Sequence, residues 1–196
     1  SSTELSTTDD RYILYFGRLS EEKAVDQILD AARVNPHIPC VIAGTGPAEE
    51  ALKNKAREEG IDNVQFVGFQ TGDALQQLVA NCTMTVISSA WYENCPMSVL
   101  ESLAYGKPVV GARVAGIPEL IEDGEDGLTF EAGNVEDFAA AIQHFWDNPE
   151  LAAKAGRSGR HKIEQKFSKE AHYEGLMAIY SAAIDAKSAT AVAAKS

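Results

Sequence analysis

The sequence predicts an α/β protein with a doubly wound, Rossmann-like parallel sheet of about six strands and helices on both faces. Short apolar runs alternate with longer segments of helical periodicity along the chain. The runs are so uniformly apolar that neither face of the sheet would remain in water, which is typical of a parallel sheet covered on both sides. The chain has 196 residues, enough for one such domain with a proper core.

Six apolar runs next to turn-forming residues are predicted to be the strands. In chain order they are residues 12–16, 41–43, 64–67, 84–87, 108–111 and 128–130. The segments between and after them are predicted to be helices. These are residues 20–33, 47–59, 73–80, a segment beginning at 96, and then 118–121, 135–146, 149–166 and 168–184.

The first predicted helix carries a cation where the helix dipole disfavours one. Ser20 can cap this helix, and Glu21 and Glu22 suit its positive N-terminal end. Lys23 lies in the same first turn, and its charge opposes the dipole. An anion bound at this turn would explain the placement of Lys23.

The stretch from residue 91 to residue 111 combines a loop, a helix and a strand. Pro96 is favoured at the first position of a helix, so a helix is predicted to start there. Glu101 shares helical spacing with Met97, Leu100 and Ala104, which places its carboxylate on or beside the face predicted to pack inward. A carboxylate there needs a hydrogen-bond donor. The alternative is that Glu101 flanks the apolar stripe and reaches water.

Composition excludes several classes of protein. The formal net charge of -12 argues against a broad nucleic-acid surface, and no apolar run has the length of a membrane span. The three cysteines lack disulfide-framework or zinc spacing, which favours a reducing cytoplasm. Cys40 is interpreted as filling a strand.

Ligands of doubly wound folds bind beyond the carboxyl ends of the strands. Several residues occupy predicted strand ends and should share one rim: Gly17, Arg18, Gly44, Gly46, Gly68, Phe69, Glu93 and residues 111–116. The first turn reads GRLSEEK, so it lacks the dinucleotide fingerprint. It offers Arg18 and Lys23, which suit a diphosphate. Alternatively, Arg18 pairs with a nearby carboxylate and Lys23 points into water.

Motifs in a fixed order carry a family resemblance. They are G-R-L-x-x-E-K at 17–23, G-x-G-P at 44–47, Glu93 and Glu101 separated by seven residues, LESLAYGKPVVG, and GIPELIEDGEDGLTF. Together they resemble the C-terminal donor-binding domain of GT-B retaining glycosyltransferases of the family-four type (glycosyl transferases group 1), over about residues 12–180. The family usually has Gly after the lysine, whereas this chain has Ala24, which bears on how closely the backbone approaches a phosphate.

The resemblance implies roles for individual residues. Arg18 and Lys23 would bind the diphosphate of a nucleotide-sugar and stabilise charge on the leaving group, Glu101 would accept hydrogen bonds from the ribose, and Glu93 would face the sugar. The catalytic set is thus Glu93, Arg18 and Lys23. The remaining donor-binding set is Gly17, Gly44, Phe69 with Gln70 near the base, Asn94, Cys95, Pro96 and Met97 at the helix mouth, and Glu101.

The resemblance implies that no metal or cofactor is needed and that the nucleotide-sugar is a substrate. The segment EDGED at residues 122–126 could be a calcium loop, but a glycine turn between helix and strand is the preferred interpretation. His37, in a connection, and His144, His161 and His172, in later helices, are interpreted as surface or partly buried residues.

The resemblance also implies a domain plan for a chain cut from a longer protein. Residues 1–10 are a linker, 11–166 form the nucleotide-sugar-binding domain, 167–185 form a helix that crosses toward a missing N-terminal acceptor domain, and 186–196 are a disordered tail. The contact face of that helix would comprise Phe167, Tyr173, Leu176, Met177 and Tyr180.

The resulting hypothesis is the donor half of a hexosyltransferase, inactive alone, that binds a UDP- or GDP-hexose for retaining transfer in polysaccharide biosynthesis. It would be cytoplasmic, reaching the inner membrane surface only through the missing domain. The alternatives are half of a GT-B-like nucleotide-sugar 2-epimerase and a non-catalytic binding module.

Overall fold

A computed structural model describes residues 11–91 and 96–167, together with residues 173, 176, 177, 179 and 180. The strands are β1 (Ile13–Phe16), β2 (Cys40–Ala43), β3 (Val64–Gly68), β4 (Met84–Ile87), β5 (Val109–Ala112) and β6 (Gly127–Phe130). A short 3-10 helix spans Glu21–Lys23. The α-helices are α1 (Val25–Val34), α2 (Glu49–Glu58), α3 (Gly72–Asn81), α4 (Met97–Ala104), α5 (Ile117–Leu120), α6 (Val135–Asp147) and α7 (Pro149–Lys166).

The six strands form one sheet in the order β3-β2-β1-β4-β5-β6. All of the strand pairs are parallel, so the doubly wound α/β prediction is confirmed. The strand order reverses between β1 and β4, since β2 and β3 lie on one side of β1 and β4 to β6 lie on the other. Ile13 of β1 aligns with Met84 of β4. A crevice at the carboxyl ends of these strands is where such sheets bind ligands.

The sheet is covered on both faces by apolar side chains. One face, which includes Ile42 and Val110, packs against α1 and α6 in a core that contains the stacked rings of Phe130 and Phe138. The opposite face includes Leu14 and packs against α3. Cys40 is fully buried in β2, as the strand-filling interpretation predicted. Most residues of β1, β2, β4 and β5 are buried, which accounts for the uniformly apolar runs of the sequence at these strands.

A single side chain fixes the connection between α1 and β2. The Asn63 amide nitrogen donates hydrogen bonds to the carbonyl oxygens of Ala32, Asn35 and Ile38 at 3.1, 3.1 and 2.8 Å. The side-chain amide of Asn35 in turn donates to the carbonyl of Ala139 in α6 at 3.0 Å. The bond to Ala32 satisfies a carbonyl group in the last turn of α1 that the helix itself leaves without a partner, because Pro36 has no N–H to donate.

Helix α7 approaches the turn after α4 through small residues. Its inward stripe consists of Ala152, Ala155, Gly156 and Gly159. A Cβ placed on Gly156 would overlap the carbonyl oxygen of Gly106. The absence of a side chain at Gly156 therefore permits this backbone contact.

Two compact units divide the chain, the first ending at Arg160 and the second beginning at His161. In the second unit, the apolar side chains of the predicted contact face that the structure describes are exposed: Phe167, Tyr173, Leu176, Met177 and Tyr180. The predicted linker 1–10 and tail 186–196 lie outside the described residues. None of the helices in the described part of the chain combines the length and apolarity needed to cross a membrane.

Candidate functional site: a cleft at the carboxyl ends of the strands

A cleft of about 500 Å³ lies at the carboxyl ends of β1, β2 and β3. Five of the predicted site residues line it, namely Gly17, Arg18, Gly44, Phe69 and Gln70. The other lining residues are Phe16, Ala43, Thr45, Gly46, Pro47 and Leu75. The predicted rim thus forms for the loops after these three strands.

The loops after β1 and β2 are in direct backbone contact beneath the cleft. The amide of Gly17 donates to the carbonyl of Ala43 at 3.0 Å, and the amide of Leu19 donates to that of Thr45 at 3.0 Å. A Cβ on Gly44 would overlap the carbonyl oxygen of Gly17, and one on Gly46 would overlap that of Leu19. The G-x-G spacing after β2 is therefore required by loop packing.

Arg18 stands at the mouth of the cleft on a supported backbone. Its carbonyl accepts a hydrogen bond of 2.8 Å from the hydroxyl of Tyr15, a buried residue of β1. The Arg18 residue itself is exposed. Tyr15 was not among the predicted site residues, although its position two residues before Gly17 is a signal that could have pointed to it.

Phe69 supplies an apolar surface on the side of the cleft formed by the loop after β3. Its side chain is 71% exposed, which is unusual for a phenylalanine and leaves the ring open to a ligand. The side-chain amide of the neighbouring Gln70 donates to the carbonyl of Val67 at 2.7 Å, which holds the loop after β3 in place. Leu75 in α3 completes this side of the cleft, and the sequence reasoning missed it.

The turn that carries Lys23 differs from the prediction. The α-helix begins at Val25, and Glu21–Lys23 form a separate 3-10 helix before it. The Ser20 hydroxyl makes no capping bond to the backbone and instead donates to the Glu22 carboxylate at 2.6 Å. The prediction that Ser20 caps a single long helix was therefore wrong, and Lys23 ends the short helix ahead of α1.

Ala24 joins the two helices in a left-handed conformation, with φ 47° and ψ 44°. Its amide donates to the carbonyl of Glu21 at 3.0 Å, and its carbonyl accepts from the amide of Gln27 at 3.1 Å. Glycine adopts this conformation without a Cβ penalty. An alanine in this conformation costs about 1–2 kcal/mol.

The turn that bears Lys23, called the cationic turn, is hydrogen-bonded to the loop after β4. The Ser88 hydroxyl donates to the carbonyl of Lys23 at 2.9 Å. The amide of Ala90 donates to the carbonyl of Glu22 at 3.1 Å. The segment leading to residues 92–95 is thereby attached to the turn that bears Lys23, although Lys23 is not among the residues lining the cleft.

The carboxylate of Glu22, the residue before Lys23, has a lowered pKa. The hydrogen bond from Ser20 is the largest cause, followed by a backbone hydrogen bond and by the positive charges of Arg18 and Lys23. Arg18 and Lys23 are thus two of the positive charges that act on the Glu22 carboxylate.

Helix α4 buries a different face from the one predicted. Val99, Ser102 and Leu103 are buried, whereas Glu101 is exposed and Met97 is 60% exposed. The Ser102 hydroxyl is satisfied by donating to the carbonyl of Ser98 at 2.6 Å, which lets a serine lie inward. The inward placement of Glu101 was therefore wrong, and the alternative that it reaches water is confirmed.

The remaining predicted residues at the mouth of α4 are only partly described. Pro96 is buried and precedes the first helical residue, Met97, so the helix begins one position later than predicted. Glu93, Asn94 and Cys95 lie outside the described residues. Pro96, Met97 and Glu101 are not among the residues that line the cleft.

The EDGED segment is a glycine turn. Gly124 has φ 81°, and its amide donates to the carbonyl of Gly127 at 2.9 Å. The buried Asp126 carboxylate accepts from the amide of Glu122 at 2.8 Å. Within the described residues, no group of three or more His, Cys, Asp and Glu side chains could hold a metal ion.

Comparisons with known proteins identify the family. Residues 2–162 match the family model described as Glycosyl transferases group 1. Alpha-D-kanosaminyltransferase of Streptomyces kanamyceticus is 30% identical over 178 residues, which cover 88% of this chain and 46% of the relative. The chain spans about half the length of the curated relatives it matches.

Solved structures share the fold. The Anabaena protein Alr3699/HepE, crystallised with UDP, superposes with a TM-score of 0.80 at 23% identity, covering 88% of this chain and 49% of that one. The C-terminal domain of the group 1 glycosyl transferase LpcC of Francisella tularensis has a TM-score of 0.71 at 20% identity, covering 81% and 86%. These likenesses show that the chain shares the fold of both structures.

Proposed function

The chain belongs to the glycosyl transferases group 1 family, and on that premise we propose that its cleft binds the nucleoside diphosphate of a nucleotide-sugar. The observation that carries this proposal is the cleft itself, which Arg18 and the exposed Phe69 both line. A cation beside an aromatic surface suits a ligand that combines a diphosphate with a base.

The diphosphate is assigned to Arg18 and Lys23. A guanidinium binds phosphate oxygens through paired N–H donors, and an ammonium adds a point charge. Both charges would stabilise the negative charge that develops on the departing nucleoside diphosphate. The hydroxyl of Tyr15 donates to the carbonyl of Arg18, and the hydroxyl of Ser88 donates to the carbonyl of Lys23. These hydrogen bonds hold the main chain at both cations in place before any ligand binds.

The nucleoside and sugar are assigned to the two sides of the diphosphate. Phe69 and Gln70 would meet the base, and Glu101, which is exposed and needs no internal partner, would accept hydrogen bonds from the ribose. Glu93 would face the sugar ring, with backbone amides of Asn94, Cys95 and Met97 holding sugar or phosphate oxygens.

The reaction we propose is transfer of a hexose, with retention, to an acceptor held by an N-terminal domain of the same protein. The length of the relatives, about twice the matched region, supports a second domain. UDP is the first nucleotide to test, because a relative of the same fold was crystallised with it. On this proposal the protein works in the cytoplasm in polysaccharide assembly, reaching the inner membrane surface through that second domain.

Calorimetric titration with UDP, GDP and ADP tests the proposal on this chain and on the full-length protein. We expect one nucleotide to bind saturably and the double variant Arg18→Ala/Lys23→Ala to weaken it at least about tenfold, since charged hydrogen bonds contribute about 1.5–3 kcal/mol each. Lys154→Ala/Arg157→Ala removes equal charge from α7, which does not line the cleft, and should bind normally.

Two results would overturn the proposal. One is that no nucleotide binds the full-length protein. The other is that both double variants bind equally well, because the cations of the turn would then contribute nothing beyond net charge.

A further inference from the structure

The chain leaves the edge strand β3 through a shift in strand register. Ile42 of β2 pairs with Phe66, and the next residue, Ala43, pairs with Gly68, so Val67 is an extra residue without a partner in the ladder. An extra residue of this kind bends its strand and changes the direction of the side chains beside it. Gly68 follows with φ 70°, which turns the chain out of the sheet.

Gln70 closes this bend with its side chain. Its side-chain nitrogen donates a hydrogen bond of 2.7 Å to the carbonyl of Val67, three residues earlier. A second bond, from the amide of Gly44 to the carbonyl of Gly68 at 2.8 Å, joins the bend to the loop after β2. The carbonyl of the extra residue is therefore bonded by a side chain, and removing that side chain removes one of the two bonds that hold the bend.

Phe69 lies inside the closed bend, between the two residues that the side-chain bond joins. It lines the cleft and is 71% exposed. A ring that is so exposed gains little support from packing, so its position depends on the backbone that carries it. A side chain that is already ordered in the empty cleft loses less conformational freedom when a ligand binds.

Resting on the proposed function, we infer that Gln70 is a positioning residue whose bond to Val67 holds Phe69 in place as a preformed surface for the base of the nucleotide. Of the two residues assigned to the base, Phe69 makes the stacking contact and Gln70 supports it. Gln70 therefore contributes to affinity only for ligands that carry a base. A diphosphate without a base binds the cations and does not use the ring.

The test compares a nucleotide with pyrophosphate on the full-length protein. The nucleotide is whichever of UDP, GDP and ADP the wild type binds, measured by calorimetry, and pyrophosphate is measured by competition against it. Gln70→Leu keeps the approximate size of the side chain and removes the donor. We expect this variant to bind the nucleotide about three- to fivefold more weakly, because the ring must then be ordered on binding. Its affinity for pyrophosphate should stay at the wild-type value.

Gln77→Leu is the matched control. Gln77 is an exposed glutamine of α3 that does not line the cleft, and its replacement should leave both affinities unchanged. The double variant Phe69→Ala/Gln70→Leu tests whether Gln70 acts through the ring. Once the ring is gone, its support has no effect, so the double variant should bind the nucleotide as well as Phe69→Ala does.

Three outcomes would overturn the inference. In the first, Gln70→Leu binds the nucleotide as tightly as Gln77→Leu. In the second, the losses of the two single variants multiply in the double variant, as a direct contact between Gln70 and the ligand would require. In the third, pyrophosphate affinity falls as much as nucleotide affinity, as a general collapse of the loop would produce.

The same measurements separate this inference from the proposed function. Any of the three outcomes leaves the proposed function standing if the wild type binds a nucleotide and Arg18→Ala/Lys23→Ala weakens that binding. Failure of the full-length wild type to bind any of the three nucleotides refutes the proposed function itself, and this inference with it.

Discussion

The α-carbon of Gly44 faces the carbonyl oxygen of Gly17 so closely that a methyl group has no room between them. We expect Gly44→Ala to separate the loops after β1 and β2, lowering the free energy of unfolding by about 1–3 kcal/mol and weakening nucleotide binding. Gly60→Ala is the control, because Gly60 also has a positive φ but open space around it. Urea unfolding measures both, and equal losses would contradict the role of the loop contact.

Gly156→Ala tests the contact between α7 and the turn at Gly106. Alanine is a better helix former than glycine by about 1 kcal/mol, so an unhindered site would be stabilised. Because the added Cβ overlaps the Gly106 carbonyl oxygen, we expect a net loss of stability instead. Ser158→Ala, an exposed substitution in the same helix, should leave the melting temperature unchanged or raise it slightly. A stabilised Gly156→Ala would refute the contact.

Asn63→Asp replaces a donor with an acceptor of the same shape. The new carboxylate would face three carbonyl oxygens that now accept hydrogen bonds. We expect a loss of about 2–5 kcal/mol, since each group left without a partner is costly. The reciprocal change at the neighbouring exposed residue, Asp62→Asn, should have little effect in the same denaturation assay.

The sequence predicted the sheet well because each strand is a separate apolar run. It could not locate the start of α1, since the break depends on Ala24 adopting a left-handed conformation, and alanine gives no signal for one. Nor could it choose the inward face of α4. Both Leu100 and Leu103 lie on apolar stripes of that helix, and contacts with β5 and α5 select the stripe of Leu103.

From the sequence, the cleft could be predicted only as a set of residues that follow the carboxyl ends of the strands. Gly17, Arg18, Gly44 and Phe69 met there because parallel strands end at one edge. Leu75 and Tyr15 were missed, since a helix residue and a buried strand residue reach the loops through tertiary packing that periodicity does not encode.

Alkaline pH should destabilise the fold through its buried thiols. Burial raises the pKa of Cys82 from 9.0 to about 12. The unfolded chain therefore loses this proton first, so the contribution is complete below about pH 9 and lost as pH rises toward 12. Moving from about pH 8 to about pH 10.5 should cost about 2 kcal/mol for this thiol.

Cys82→Ala removes this titration. The cavity left by this substitution lowers the free energy of unfolding equally at both pH values. The difference in the free energy of unfolding between the two pH values should therefore become smaller. Denaturation at the two pH values measures that difference, and a difference equal to that of the wild type would contradict the assignment to Cys82.

Phe69→Ala tests the aromatic surface of the cleft. Because the ring is exposed, we expect no loss of thermal stability. Nucleotide affinity should fall about tenfold, as stacking on an aromatic side chain contributes about 1–3 kcal/mol per base. Tyr105→Ala removes an exposed aromatic side chain that does not line the cleft and should bind normally. Unchanged affinity in Phe69→Ala would exclude the ring from the nucleotide site.

The pairing of Ile13 with Met84 has a consequence for the order in which the protein assembles during synthesis. The strands β1, β2 and β3 can pair as they leave the ribosome, because their partners are close in the chain. One edge of β1 stays open until β4 has emerged, and the loop that anchors the cationic turn through Ser88 follows it. The nascent chain therefore carries an exposed central strand edge, prone to pairing with other chains, until the residues of β4 have been made.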